Sequence, residues 1–250
     1  TWFADATYTV SPSYAGILMQ RGIKCLDVTW GGYANPVVFN PERAIDETTG
    51  KPTPWREKLT FGHPDEFVLA YAGRVSPEKD IGFLVNLVKG FRDRGHGVWL
   101  ALIGDGPAAE EFKALHGDPQ YGVWFVPGFL PQKELAQVYA SVDCVTSAST
   151  FETFGFTALE AMQCGTPFLG PRAQGFRDGP ARSARFCAST KEPTSSPGRI
   201  RAESWASCAA RRSNASATPT GLSESVLSRA SSPGKRPAWP PSAALTSGMN

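Results

Sequence analysis

Between Phe67 and Leu169 the sequence alternates short, continuous apolar runs with longer amphipathic stretches, and this alternation leaves few folds open. The runs FVLAYAG (67–73), VWLALIG (98–104), VWFVPG (123–128), DCVTS (143–147) and TPFLG (166–170) have strand length and little alternation of polarity. Strands buried on both faces of a parallel sheet read this way. Between them Ile81, Leu84, Val85, Val88 and Phe91 recur at helical spacing, as do Leu135, Val138 and Tyr139 beyond Pro131. The order is β-α-β-α-β-α-β-α-β. Parallel strands joined by helices cross over right-handedly, so the expected fold is α/β, a doubly wound Rossmann-like parallel sheet.

The flanks read differently. DATYTVSPSYAGILMQRGIKCLDVTW has the pattern of a strand, a Ser-Pro-capped helix and a strand, followed by the loop GGYANPVVFNP. Residues 1–41 are therefore expected to be the last strand-helix-strand of a preceding domain, with sequence missing upstream of Thr1. The charged, Pro-rich residues 42–65 read as a linker, and 66–178 as the ligand-binding domain. Beyond Asp178 the composition changes: 15 Lys+Arg stand against 20 Asp+Glu up to that point, and 10 against 3 after it. Ser, Ala, Arg and Pro dominate the second part, which buries too little to offset its ordering entropy. Residues 179–250 are expected to be a disordered tail, the product of a shifted reading frame or a splicing error. Their positive charge lacks aromatic interleaving and dense Lys/Arg clusters, which argues against nucleic acid as a partner.

The 5 cysteines are widely spaced without a C-x-x-C pair, as in a reducing compartment and without a zinc site. No apolar run reaches the roughly eighteen residues of a membrane span, and no signal peptide is seen. The expected location is intracellular, cytoplasmic or organellar, plastids included.

In a doubly wound sheet ligands sit at the carboxyl ends of the strands, and those ends hold the unusual residues. Arg74 and Lys79, in GRVSPEKDIGFL, are two cations suited to a pyrophosphate. A first-turn surface lysine and an Arg74–Glu78 pair would account for them structurally. Gly104, opening GDGP, resembles part of a phosphate loop, or a tight turn that starts a helix at Pro107. In FETFGFTALEA (151–161) a helix beginning near Gly155 or Phe156 would aim free N–H groups and its positive end at the sheet edge. Glu152 then precedes that helix and Glu160 lies one turn into it. Both carboxylates suit sugar hydroxyls. Taken singly, they also suit a helix-dipole partner and a solvated helix residue.

AYAGRVSPEKDIGFL, LALIGDGPAAEEF and VPGFLPQKELAQVYASVDCVTSASTFETFGFTALEAMQCGTPFLGPRAQGF resemble, in order and spacing, the C-terminal donor-binding domain of family 4 of the retaining GT-B glycosyltransferases. The E-x7-E pair Glu152 and Glu160 is that family's signature. TFGFTALEAM and GPRAQGF are closest to its sulfoquinovosyltransferases and phosphatidylinositol mannosyltransferases. The resemblance covers residues 1–178 and implies a UDP- or GDP-linked sugar as donor substrate, a lipid or glycan acceptor, and no cofactor or metal. It implies that Arg74 and Lys79 hold the diphosphate and stabilise the leaving group. Gly155 and Phe156 would give N–H groups to the phosphates, Glu152 would contact the sugar, Glu160 the ribose, and Phe129 and Leu130 would flank the base. The apolar residues between the carboxylates would anchor the helix to the sheet.

The chain also departs from that pattern. The interdomain segment G-[VI]-D-T-x-x-F-x-P of the family reads YANPVVFNP here, with Asn35 for Asp and Tyr33 for Gly. The acceptor-binding domain, through which peripheral membrane contact would also run, is expected to lie almost wholly outside these residues. An inactive nucleotide-sugar-binding fragment is therefore the second reading of residues 1–250.

Overall fold

The computed structural model describes residues 6–24, 27–28, 32, 34–171, 174–178 and 186–189. Its centre is a parallel sheet built from β3 (Phe67–Ala72), β4 (Val98–Gly104), β5 (Val123–Pro127), β6 (Cys144–Thr146), β7 (Phe168–Pro171) and β8 (Phe186–Ser189). The strand order is β5-β4-β3-β6-β7-β8. The order runs outward to one side from β3 through β5 and to the other from β6 through β8. The two directions part between β3 and β6, the switch point at which such sheets open a crevice.

The apolar runs bury both faces because alternate residues leave opposite sides of each strand. Phe67, Leu69, Tyr71, Val98, Leu100 and Leu102 join one cluster with α3 (Ile81–Arg92) and α4 (Ala109–Lys113). Val68, Ala70, Ala72, Trp99, Ala101 and Ile103 join the other with α5 (Gln132–Ser141) and α6 (Phe156–Gln163). The result is the three-layer α/β/α sandwich expected from the pattern.

Residues 42–65, read as a linker, carry α2 (Trp55–Leu59), which belongs to the second of these clusters. Leu59 is fully buried there. Arg56 donates to Asp143 Oδ2 at 2.5 Å, and Asp143 Oδ2 accepts from Val68 N–H at 2.8 Å, so α2 is tied to β3 and to the start of β6. Five residues are too few to show a helical period in sequence. β8 falls inside the stretch 179–250 read as tail and pairs with β7 from Phe168↔Phe186 to Pro171↔Ser189. The rest of that stretch lies outside the described residues.

The N-terminal part forms β1 (Tyr8–Thr9), α1 (Pro12–Gln20) and β2 (Asp27–Val28), with β1 and β2 parallel. Ser11 caps α1 as Ser-Pro predicted, accepting from Tyr14 N–H at 3.1 Å. Asn35 accepts from Val37 N–H at 3.0 Å through Oδ1, a turn contact an aspartate oxygen makes equally well. Tyr33 lies outside the described residues. Phe39, at the end of that loop, is buried against Tyr139 with ring centroids 6.3 Å apart.

Candidate functional site

The two loops that flank the switch point carry most of the residues singled out from the sequence. After β3, Gly73 leads into Arg74, whose carbonyl accepts from Tyr71 Oη at 2.8 Å. Burial, and then the charges of Glu152 and Glu78, push the Tyr71 hydroxyl well above its ordinary pKa, so it stays a donor. The Arg74 side chain is exposed. It makes no ion pair with Glu78, whose carboxylate accepts instead from Ser76 Oγ at 2.6 Å. That bond, ahead of the Arg74 and Lys79 charges, lowers the Glu78 pKa. Lys79 ends a 3-10 turn, Pro77–Lys79, and Asp80 then takes a left-handed conformation to start α3.

After β6 the chain is braced by its own serines. Ser149 N–H donates to Ser147 Oγ at 3.2 Å, and Ser149 Oγ donates to the Phe151 carbonyl at 2.8 Å. Glu152 follows, half-buried. Its Oε2 lies 3.5 Å from Lys79 Nζ, and its Oε1 accepts from Thr153 N–H at 3.1 Å. The two loops therefore meet in an ion pair across the switch point.

Gly155 is the N-cap of α6, with φ 89°, a conformation that favours glycine, and no side chain caps the helix. The first turn of α6 thus has no side-chain cap, and its N-cap stands three residues after Glu152 of the ion pair. Thr157 Oγ1 donates to the Ala72 carbonyl at 3.4 Å and fixes this helix end to the end of β3.

Glu160, one turn into α6, is half-buried beside Tyr139 and Cys164. Its carboxylate has neither an ion-pair nor a hydrogen-bond partner among the described residues, while its backbone carbonyl accepts from Cys164 N–H at 3.1 Å. Burial pushes its carboxyl up to about 7. A carboxylate held this way is costly unless something arrives to pair with it.

The remaining predicted residues lie farther out. Gly104 ends β4, one strand away, and a Cβ there would stand 1.9 Å from the Gly73 carbonyl oxygen. The approach of two backbones therefore suffices to explain this glycine. The helix after it starts at Ala109, two residues beyond Pro107. Phe129 and Leu130 follow β5, two strands from the switch point; Phe129 is 79% exposed and Leu130 half-buried.

The aromatic residues around Glu152 divide their roles. Phe154 is buried, with its ring 4.8 Å from that of Phe156. Phe151 and Phe156 stay about half exposed and meet the N-terminal segment, Phe151 through Tyr14 and Phe156 beside Gly32. Of the apolar residues between the carboxylates, Ala158 and Leu159 pack with the second cluster on the sheet, while Phe156 lies beside Gly32 of the N-terminal segment.

Sequence reasoning missed Tyr71, Gly175 and Asp178. Gly175 N–H donates to the Glu152 carbonyl at 2.8 Å. The signal was present in AQGFRD, directly after the last buried strand, but its partners lie far away in sequence. Elsewhere, a shallow cleft at the opposite ends of the strands is lined by Glu66, Arg92 and His96. Its arginine is already engaged by the Val98 carbonyl at 3.0 Å and the Trp99 ring at 4.4 Å. No cluster of His, Cys, Asp or Glu suited to a metal occurs among the described residues. No described helix is long and apolar enough to cross a membrane.

Comparison with known proteins places this geometry in context. Residues 54–181 match the family of glycosyl transferases group 1. The sulfoquinovosyl transferase SQD2 of Arabidopsis thaliana is 33% identical over 178 residues, which cover 70% of this chain and 32% of that protein. The chain thus spans about a third of the length of this curated relative. Among solved structures, Anabaena HepE in complex with UDP and glucose superposes with a TM-score of 0.52 at 24% identity, over 70% of this chain and 47% of that one. The catalytic domain of starch synthase IV from Arabidopsis thaliana, bound to ADP and acarbose, gives 0.57 at 16% identity, over 91% and 56%. The likeness to both is one of fold, that of the GT-B glycosyltransferases.

Proposed function

Because the chain belongs to the family of glycosyl transferases group 1, we propose that it binds a UDP- or GDP-linked sugar at the switch point and serves transfer of that sugar, with retention of configuration, to a lipid or glycan acceptor. The observation that carries this reading is the meeting of Lys79 and Glu152 at 3.5 Å beside the uncapped start of α6. A diphosphate entering there finds Arg74, Lys79 and the first-turn N–H groups at Gly155 and Phe156. Each preorganised contact of this kind is worth about 2–4 kcal/mol to a leaving group gathering negative charge.

Once phosphate oxygens take over Lys79, Glu152 is released to accept from donor-sugar hydroxyls. In this role it is a ligand of the sugar and not half of a hydrolytic pair. Glu160 accepts from the ribose, which supplies the partner its buried carboxylate lacks. The strand ends carrying Gly104, Phe129 and Leu130 lie one and two strands along, about 5 and 10 Å away at ordinary strand spacing, a span that suits the base. The donor is a substrate, and the reaction as proposed calls for no cofactor or metal. Acceptor recognition and any peripheral membrane contact are assigned to residues outside 54–181.

Calorimetric titration of the 250-residue chain with UDP and with GDP tests this. We expect saturable binding of one of them, weakened by about 1–3 kcal/mol in Glu160→Ala as charge-assisted hydrogen bonds are lost. A folded chain that binds neither contradicts the proposal.

A further inference from the structure

We propose that Asp178 is a positioning residue of the donor site: it pins α7 (Gln174–Asp178) to α1, and the two helices together hold the loop that carries Glu152. The proposal rests on the reading of Glu152 as a donor-sugar ligand. The Asp178 carboxylate accepts from Ser11 Oγ, from Ser13 N–H at 2.9 Å and from Ser13 Oγ at 2.6 Å. A negative charge thus sits on the first turn of α1, where N–H groups lack helical partners and the dipole favours an anion. Hydrogen bonds to an ionised acceptor are among the strong ones.

α7 is too short to hold its own shape. Its described residues instead each grip something else. Gly175 N–H donates to the Glu152 carbonyl at 2.8 Å, and a Cβ at Gly175 would stand 2.4 Å from the Thr153 carbonyl carbon and 2.5 Å from Phe154 N. Backbone therefore lies directly on backbone. Phe176 is buried on Phe168 with ring centroids 5.1 Å apart. From the other side Tyr14 of α1 packs edge-on against Phe151 at 6.4 Å. The Glu152 loop is gripped by α7 through its backbone and by α1 through Phe151, and Asp178 joins the two grips.

The diphosphate ligands have anchors of their own outside this arrangement. Arg74 is braced by Tyr71 and Lys79 by its own 3-10 turn, and the start of α6 with Gly155 and Phe156 is tied to the end of β3 by Thr157 Oγ1 on the Ala72 carbonyl. Loss of the Asp178 bonds therefore disturbs the sugar contact and spares the diphosphate contact.

The test is calorimetry of UDP and UDP-glucose binding to the 250-residue chain and to Asp178→Ala, Glu152→Ala and the double variant, with GDP and GDP-mannose replacing them if GDP is the nucleotide bound. We expect Asp178→Ala to weaken UDP-glucose about ten-fold while UDP stays within about two-fold. The same change should cost nothing further once Glu152 is gone. Hydrogen exchange of the unliganded chain supplies a readout free of ligand: the Gly175 amide exchanges at least about ten-fold faster in Asp178→Ala while β3 and β4 stay protected, which also shows that the variant is folded. Asp178→Asn, which keeps a carbonyl acceptor, restores part of both effects.

Equal weakening of UDP and UDP-glucose, a full effect on the Glu152→Ala background, or unchanged Gly175 exchange overturns the proposal. A different failure, in which Glu152→Ala leaves the ratio of UDP-glucose to UDP affinity untouched, removes the premise about Glu152 and the proposal with it.

Discussion

Glu160 has opposite consequences for folding and for binding, and that opposition separates a ligand-binding role from a structural one. Its carboxyl is raised from an ordinary 4.5 to about 7, and burial is the cause. Between those values the native state keeps a proton that the unfolded chain has released, so stability falls as pH rises from about 4.5 to about 7. The neighbouring titratable groups, Tyr139 from α5 and Cys164 at the end of α6, are themselves pushed up by burial and remain neutral there. Glu160→Gln removes the ionisation and should raise stability at pH 8 by about 1–2 kcal/mol after allowance for its solvent contact, with the gain vanishing below about pH 4.5. Urea denaturation at the two pH values measures this. The same substitution should weaken the nucleotide, because ribose hydroxyls then face an amide where a carboxylate had stood. Nucleotide affinity of the unsubstituted chain should accordingly climb as pH rises through about 7. A variant that is less stable and binds unchanged would assign Glu160 to the core.

At the level of elements, legibility tracked burial. β3 and β4 could be placed within one residue of their ends because both faces are covered, which makes each an unbroken apolar run. The start of α6 was legible for a related reason, since Gly155 interrupts an otherwise apolar stretch where a left-handed residue is needed. α2 was not legible: WREKL shows only two apolar residues, Trp55 and Leu59, with three charges between them, and only the tertiary contact reveals that Leu59 is fully buried in the cluster with Val68, Trp99 and Tyr139. The distinction can be measured. A leucine in a true linker tolerates truncation, whereas Leu59→Ala in a packed interior should cost about 2–5 kcal/mol, read as a shift of the denaturation midpoint at constant slope. A change under about 0.5 kcal/mol would return residues 42–65 to the status of a linker. The Asp178 contacts escaped sequence reading for yet another cause, because partners 165 and 167 positions away leave no local pattern.

Across the whole molecule, stability and function are distributed unevenly about β3. This strand pairs with β4 over six residues and with β6 over two, contributes to both hydrophobic clusters, and ends at the crevice where Arg74 begins. Its amides can exchange only when the sheet opens, so they should report the global unfolding free energy. β1 and β2 are two residues each, with Tyr8 57% and Val28 36% exposed. A parallel pair of that length has little to hold it, and its amides should exchange through local opening. A ligand that binds only the native state separates the two classes. UDP at one hundred times its dissociation constant should raise the protection of β3 and β4 by about 2.7 kcal/mol, since every opening of the sheet must first release it. The same addition should leave β1 and β2 unchanged, because their opening leaves the crevice intact. Equal gains in both classes would mean that the N-terminal unit opens only together with the sheet, and that the bonds from Asp178 to α1 bind the two into one cooperative body.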